Sequence, residues 1–189
     1  KHFDRAAEHL EQLPDDGSRS RSLWRRDSGS RICTAQAGAA LIVGDLERVQ
    51  PAITQGLELC EDGLNTPLVR VGNFSIGAAT AWLLGDLGLA ARAAARCIEI
   101  AEPENEDFRA VAQTVLWATG SSATTADLRT AARTLLDRPA VPFPLGPLVM
   151  LGADLLAPQP ALAMADELDE ICTRSGTHWA DAELQRIRG

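Results

Sequence analysis

Cysteine and histidine are the side chains of this sequence that most often bind metals or act as nucleophiles. The four cysteines are Cys33, Cys60, Cys97 and Cys172. Their spacing is far wider than that of zinc sites and redox pairs. The three histidines, His2, His9 and His178, lie near the two ends and have no carboxylate or cysteine partner that spacing alone would supply. We therefore expect buried, reduced thiols, and no metal, cofactor or catalytic residue in this segment.

An arginine-rich stretch stands out in a chain whose formal net charge is −8. Its basic residues are Arg19, Arg21, Arg25, Arg26 and Arg31, with Trp24 among them. Such a patch suits phosphate or carboxylate groups. The alternative is a charged, partly mobile connector, because Asp15-Asp16-Gly17-Ser18 precedes the patch and Ser28-Gly29-Ser30 interrupts it. The acidic balance of the whole argues against duplex nucleic acid as the main partner.

Two tryptophans share a register, each three residues before a glycine: Trp82 before Gly85 and Trp117 before Gly120. In a stack of helical hairpins this register faces the concave groove. The same surface is expected to include Arg31, Thr34, Leu41, Ser75 and Thr114. A groove with two indoles and flanking polar groups suits a peptide helix or an apolar small molecule. The alternative is that both indoles fill the core.

The elements that would position these residues repeat along the chain. Residues 78–87, with a helical stretch at 90–101, match residues 37–46 and 49–60, which lie 41 positions upstream. Each copy predicts a helix, a Gly-Asp turn and a second helix. Gly44 and Gly85 suit the left-handed conformation that ends a helix, and Asp45 and Asp86 suit the cap of the next one.

Small residues recur where paired helices would touch. They stand seven residues before each turn glycine, and five and twelve residues after it. These positions are Ala37, Val49 and Gly56 in the first copy, and Ala78, Ala90 and Cys97 in the second. The pattern is typical of tetratricopeptide-like repeats, which stack into a right-handed solenoid. We therefore predict an all-α fold of antiparallel hairpins in such a solenoid.

A weaker third copy places Val115-Leu116-Trp117-Ala118-Thr119-Gly120 before a second helix at 126–136, and a degenerate fourth unit at 146–174. Four prolines between 137 and 147 exclude a regular helix there. We expect one helical-repeat domain over 1–189, of about four hairpins, broken at 137–147. Because both ends read as helices without a partner helix, we expect a piece of a longer chain.

The composition fits this prediction. The chain is 46% hydrophobic and only 4% aromatic, which favours a helical protein with a real core and excludes intrinsic disorder. The uncharged apolar run at residues 76–85 is about half as long as a membrane span needs.

The segment Ala81-Trp82-Leu83-Leu84-Gly85-Asp86, leading into an Ala-rich helix, resembles the helical-repeat regions of large bacterial signal-transduction ATPases. These are the LuxR-type regulators built like the maltose-regulon activator, and relatives linked to a nucleotide cyclase. The ending at residues 179–189 resembles a recurrent segment near the C-terminal side of those regions, and Phe3 to Leu13 is similar to the second helix of a preceding repeat.

The resemblance implies a cytoplasmic, non-enzymatic sensor that binds an effector or partner protein in its groove, beside ATPase and DNA-binding modules. This chain has no phosphate-binding loop, because that loop needs a lysine after its glycine and Lys1 is the only lysine. Two alternatives stay open: a free-standing adaptor for a peptide or helix, and a helical enzyme with a dispersed site. Hundreds of flanking residues with an ATPase loop upstream would distinguish the regulator from the adaptor.

Overall fold

The computed structural model describes residues 2–12, 19–61, 65–120, 158–175 and 181–189. Within these ranges the regular elements are helices and no strand occurs, so the predicted all-α class is confirmed. The α-helices are α1 (His2–Gln12), α2 (Arg19–Val43), α3 (Leu46–Glu61), α4 (Pro67–Leu83), α5 (Leu87–Ile100), α6 (Glu106–Ala118), α7 (Pro158–Ser175) and α8 (Asp181–Arg188). A 3-10 turn, Pro103–Asn105, precedes α6.

Both predicted Gly-Asp corners are tight turns between helices. Gly44 and Gly85 have φ angles of 77° and 81°, the left-handed region that a side chain disfavours. The amide of Asp45 donates to the Ala40 carbonyl at 2.9 Å, and the amide of Asp86 donates to the Ala81 carbonyl at 3.0 Å. The two corners therefore end their first helices in the same way.

The caps of the second helices differ between the two corners. The carboxylate of Asp86 accepts a hydrogen bond from the Leu89 amide at 2.9 Å, which confirms the predicted cap. At the first corner the Arg48 amide donates instead to the backbone carbonyl of Asp45, at 3.2 Å.

All six small-residue positions are buried, as the predicted helix contacts require: Ala37, Val49, Gly56, Ala78, Ala90 and Cys97. Gly56 illustrates the tightness. A Cβ atom there would lie 3.1 Å from Thr34 Oγ1 and 3.3 Å from Cys33 Cβ on the facing helix. The glycine therefore lets α3 approach α2 more closely than a side chain allows.

Helix α4 lies at the centre of the described helices and contacts α2, α3, α5 and α6. Nearly every residue from 71 to 81 is buried, and Phe74 is among the largest fully buried side chains. Thr66 bonds to Asp27 of α2, and Asn73 bonds to Ser30 of α2. Because the later residue of α4 bonds to the later residue of α2, the two helices run in the same direction. Asn73 and Gly77 meet Cys60 and Leu57 of α3, which runs the opposite way.

Two further helices, α7 and α8, form a pair near the C-terminal end of the described residues. α7 and α8 contact each other, and Arg188 donates to the carboxylates of Asp166 and Asp169, both at 2.8 Å. On α7, Leu162 is 41% exposed, whereas Ala165 and Cys172 are buried. The predicted helix at 126–136, the proline break at 137–147 and the start of the fourth unit lie outside the described residues.

The described helices include none with the length and apolar character needed to cross a membrane.

Candidate functional site

The residues three positions before the turn glycines are Leu41 on α2, Trp82 on α4 and Trp117 on α6. All three are partly buried. Because α4 contacts both α2 and α6, this register places the three apolar side chains on neighbouring helices. Leu41 and Trp82 also pack against the hydrophobic core, which agrees in part with the core-filling alternative.

The three hydroxyl residues predicted to line the groove are buried, which corrects that prediction. Thr34, Ser75 and Thr114 are at most 3% exposed. Thr34 and Thr114 donate to carbonyls one turn back on their own helices, and Ser75 Oγ donates to the Phe108 carbonyl of α6 at 3.2 Å. A hydroxyl held between helices cannot reach a molecule on the surface. The register predicted which helix carries each hydroxyl, but not whether the hydroxyl faces the groove or the interior.

The arginine-rich stretch is helical rather than a mobile connector, because α2 begins at Arg19 and runs through Ser28-Gly29-Ser30. This corrects the connector alternative over residues 19–31. Arg31 is exposed and Arg26 is partly buried. Arg19, Arg21 and Arg25 belong to α2, and their side chains lie outside the described part of the structure.

A buried polar cluster that the sequence did not indicate joins α2, α3 and the start of α4. Ser30 Oγ accepts from Asn73 Nδ2 at 2.9 Å and from Asn65 Nδ2 at 3.2 Å, and it donates to the Asp27 carbonyl. Asn73 Nδ2 also lies 3.4 Å from Cys60 Sγ. Since Ser30, Asn65, Asn73 and Cys60 are all buried, these bonds hold three helices in register.

Asp27 supports the same junction from its exposed rim. Its two carboxylate oxygens accept from the amide of Thr66 at 3.0 Å and from the Thr66 hydroxyl at 2.9 Å. Thr66 precedes Pro67, the first residue of α4. A carboxylate of α2 therefore satisfies a donor at the α4 N-terminus, where negative charge is favoured. Ser30, inside the arginine-rich stretch, is the signal that the sequence offered, and the connector alternative places it in a loop.

The four cysteines are buried, as expected. Burial raises the pKa of Cys33 and Cys60, and it raises the pKa of Cys97 to about 12. Cys97 Sγ lies 3.6 Å from both the Val71 and the Phe108 carbonyls, so it fills a contact between α4 and α6. Neutral, buried thiols are poor nucleophiles. Among the residues that the structure describes, no group of three or more His, Cys, Asp or Glu side chains could hold a metal ion.

Leu41, Trp82 and Trp117 therefore lie on adjacent helices, whereas the hydroxyls of Thr34, Ser75 and Thr114 are buried. Comparison of the chain with protein-family models, curated proteins and solved structures gave no match.

Proposed function

We propose that this chain is a helical-repeat interaction domain, built of tetratricopeptide-like hairpins stacked in a right-handed solenoid. It serves as the sensor region of a cytoplasmic bacterial multidomain transcriptional regulator. The observation that carries the proposal is the position of α4, which packs on the two helices before it and the two helices after it. A stack of hairpins requires such shared contacts, because one hairpin cannot bury its own apolar face.

The recurring corners support a repeat over a plain helical bundle. The left-handed glycine and the buried small residues occur at matching positions in two consecutive hairpins. Two copies of one local geometry extend a stack by the same rotation at each step, which gives a superhelix with a concave side.

The binding surface that we propose is the layer of α2, α4 and α6, and its occupant is an amphipathic helix of a partner protein. Trp117 and Trp82 would supply large apolar contacts, with Leu41 beside them and exposed Arg31 for an acidic residue of the helix. Aromatic side chains that are partly exposed on a rigid helix layer are the usual anchors of such grooves.

Selection of a displayed library of amphipathic helical peptides on the intact chain tests this surface. The selected peptides should bind Trp117→Ala at least about tenfold more weakly, because the indole buries the most area in the groove. Leu68→Ala is the matched control, since Leu68 is 61% exposed at the opposite end of α4. Circular dichroism establishes that both variants keep their helix content. Equal affinity for Trp117→Ala, or a library that yields no saturable binder, would contradict the proposal.

A further inference from the structure

A cavity of about 210 Å³ opens where α1, α2 and α3 meet, apart from the groove of α2, α4 and α6. Its lining is Asp4 from α1, Gln36, Ala39, Ala40 and Val43 from α2, Asp45 from the turn, and Arg48 and Ala52 from α3. The cavity is smaller than the ~300–1,000 Å³ clefts that hold drug-sized ligands. It therefore admits a molecule of amino-acid size.

The cavity has an apolar side and a charged rim. Three alanines and Val43 form the apolar side, and Val43 is 77% exposed, so the mouth is apolar as well. On the rim, Arg48 Nη2 donates to Asp4 Oδ1 at 2.9 Å, and Gln36 Nε2 donates to the same oxygen at 3.3 Å. Asp4 thus holds the Arg48 guanidinium at the rim through the Nη2 nitrogen of that group.

The guanidinium of Arg48 keeps further donors for an anion. Arginine carries five N–H donors in a planar fork, and the bond to Asp4 uses one nitrogen of that fork. The Arg48 side chain is 61% exposed, so water reaches the group and a ligand carboxylate can replace that water.

Asp45 places a carboxylate three residues from Arg48 on the same rim. Its counterpart in the next hairpin, Asp86, uses its carboxylate to cap the Leu89 amide. At the first corner the Arg48 amide bonds to the Asp45 backbone carbonyl instead. The two corners share a backbone geometry, but Asp86 caps a helix with its carboxylate, whereas Asp45 belongs to the lining of the cavity.

We propose that this cavity binds a small aliphatic α-amino acid. The ligand carboxylate contacts Arg48, and its ammonium group contacts Asp45 and the side-chain carbonyl of Gln36. The ligand side chain covers Ala39 and Ala52. Arg48 still offers N–H donors to a carboxylate beside its bond to Asp4, and Asp45 offers a carboxylate to an ammonium group. A zwitterion gains both contacts, whereas a simple amine or a simple acid gains only one of them. The site goes beyond the proposed groove, and it gives the chain a small-molecule input between α1 and the first hairpin.

Isothermal titration of the intact chain with leucine, isoamylamine and 4-methylpentanoate tests the zwitterion requirement. The two analogues are leucine without its carboxylate and leucine without its ammonium group. We expect saturable leucine binding and at least about tenfold weaker binding of each analogue. An analogue that binds as tightly as leucine, or leucine that gives no saturation at about 20 mM, overturns the proposal.

Two variants locate the site, and two others should leave binding unchanged. Arg48→Gln removes the anion contact, and Ala39→Leu fills the cavity without changing any charge. Each should weaken leucine binding at least about tenfold. Arg92→Gln is the control, because it removes an exposed arginine from α5, outside the cavity lining. Unchanged binding in Ala39→Leu places leucine elsewhere and refutes the site. Trp117→Ala should leave leucine binding unchanged, so failure of the groove and failure of this cavity are distinguishable.

Discussion

Asp86 joins two hairpins through its two carboxylate oxygens. One oxygen accepts from the Leu89 amide at 2.9 Å, and the other accepts from Gln50 Nε2 of the preceding hairpin, also at 2.9 Å. The Leu89 amide, and then the Gln50 side chain, lower the pKa of the Asp86 carboxyl. One residue therefore caps α5 and fixes the corner against α3.

The ionised form of Asp86 should stabilise the fold. Asp86→Ala is expected to lower the free energy of unfolding by about 0.5–2 kcal/mol at pH 7, as for other N-cap losses. Because the folded pKa lies below the unfolded value of about 3.9, this stabilisation is present above the unfolded pKa and is lost as the pH falls through the folded pKa. Urea unfolding at pH 7 and at progressively lower pH measures the difference between variant and parent, which should narrow under acid conditions.

Asp86→Asn is the control for this prediction. Its side-chain oxygen still caps Leu89, so it should keep most of the stability but respond less to pH than the parent chain. A deficit of Asp86→Ala that stays constant down to acid pH would mean that the carboxylate charge contributes nothing.

At the residue scale the sequence predicted conformations better than contacts. The turn glycines and the Asp86 cap could be predicted, because both depend on neighbours within a few positions. The burial of Thr34, Ser75 and Thr114 could not, because a hydroxyl on a helix suits either a surface or a bond to its own backbone. Which of the two occurs depends on the neighbouring helix.

Close helix contact is the main element-scale feature, and Gly56 is its clearest case. A Cβ there would come within 3.3 Å of the Ser30 carbonyl oxygen and of Cys33 Cβ, both of which are held rigidly by α2. By contrast, a Cβ at Gly38 would meet nothing within 4 Å. The two glycines therefore differ in packing although both lie within helices.

Replacing each glycine with valine separates packing from helix propensity. Gly56→Val should cost about 1–3 kcal/mol of unfolding free energy, because α2 and α3 must separate. Gly38→Val should stay within about 0.5 kcal/mol of the parent, since valine and glycine differ little in helix propensity. Thermal and urea unfolding of both variants checks this. Similar losses for the two would show that α2 and α3 are not in tight contact at Gly56.

The helices and their contact stripes could be predicted from repeated spacing of small residues. The start of α2 could not, because its arginines, serines and glycine lack an apolar period and resemble a connector. That part of α2 lies against its neighbours through Asp27 and Ser30, whose bonds span 35 to 43 residues of sequence. Contacts of this separation leave no local pattern.

At the scale of the molecule, α4 connects the described hairpins. Its Asn73 contacts Ser30 of α2, and its Gly77 lies against Leu57 of α3. Its Gly72 lies against Phe108 of α6. The proposed solenoid and the groove both depend on this order of neighbours, since the groove lies on α2, α4 and α6.

Nuclear Overhauser contacts in the isotope-labelled chain test this arrangement most directly. We expect cross-peaks between the Asn73 side-chain amide and the Ser30 β protons, because Asn73 Nδ2 and Ser30 Oγ are 2.9 Å apart. We also expect cross-peaks between the Phe108 ring and the Gly72 α protons, because Phe108 Cζ lies 3.5 Å from a Cβ built on Gly72. A folded, helical chain that lacks both sets of cross-peaks would contradict the arrangement of α2, α4 and α6.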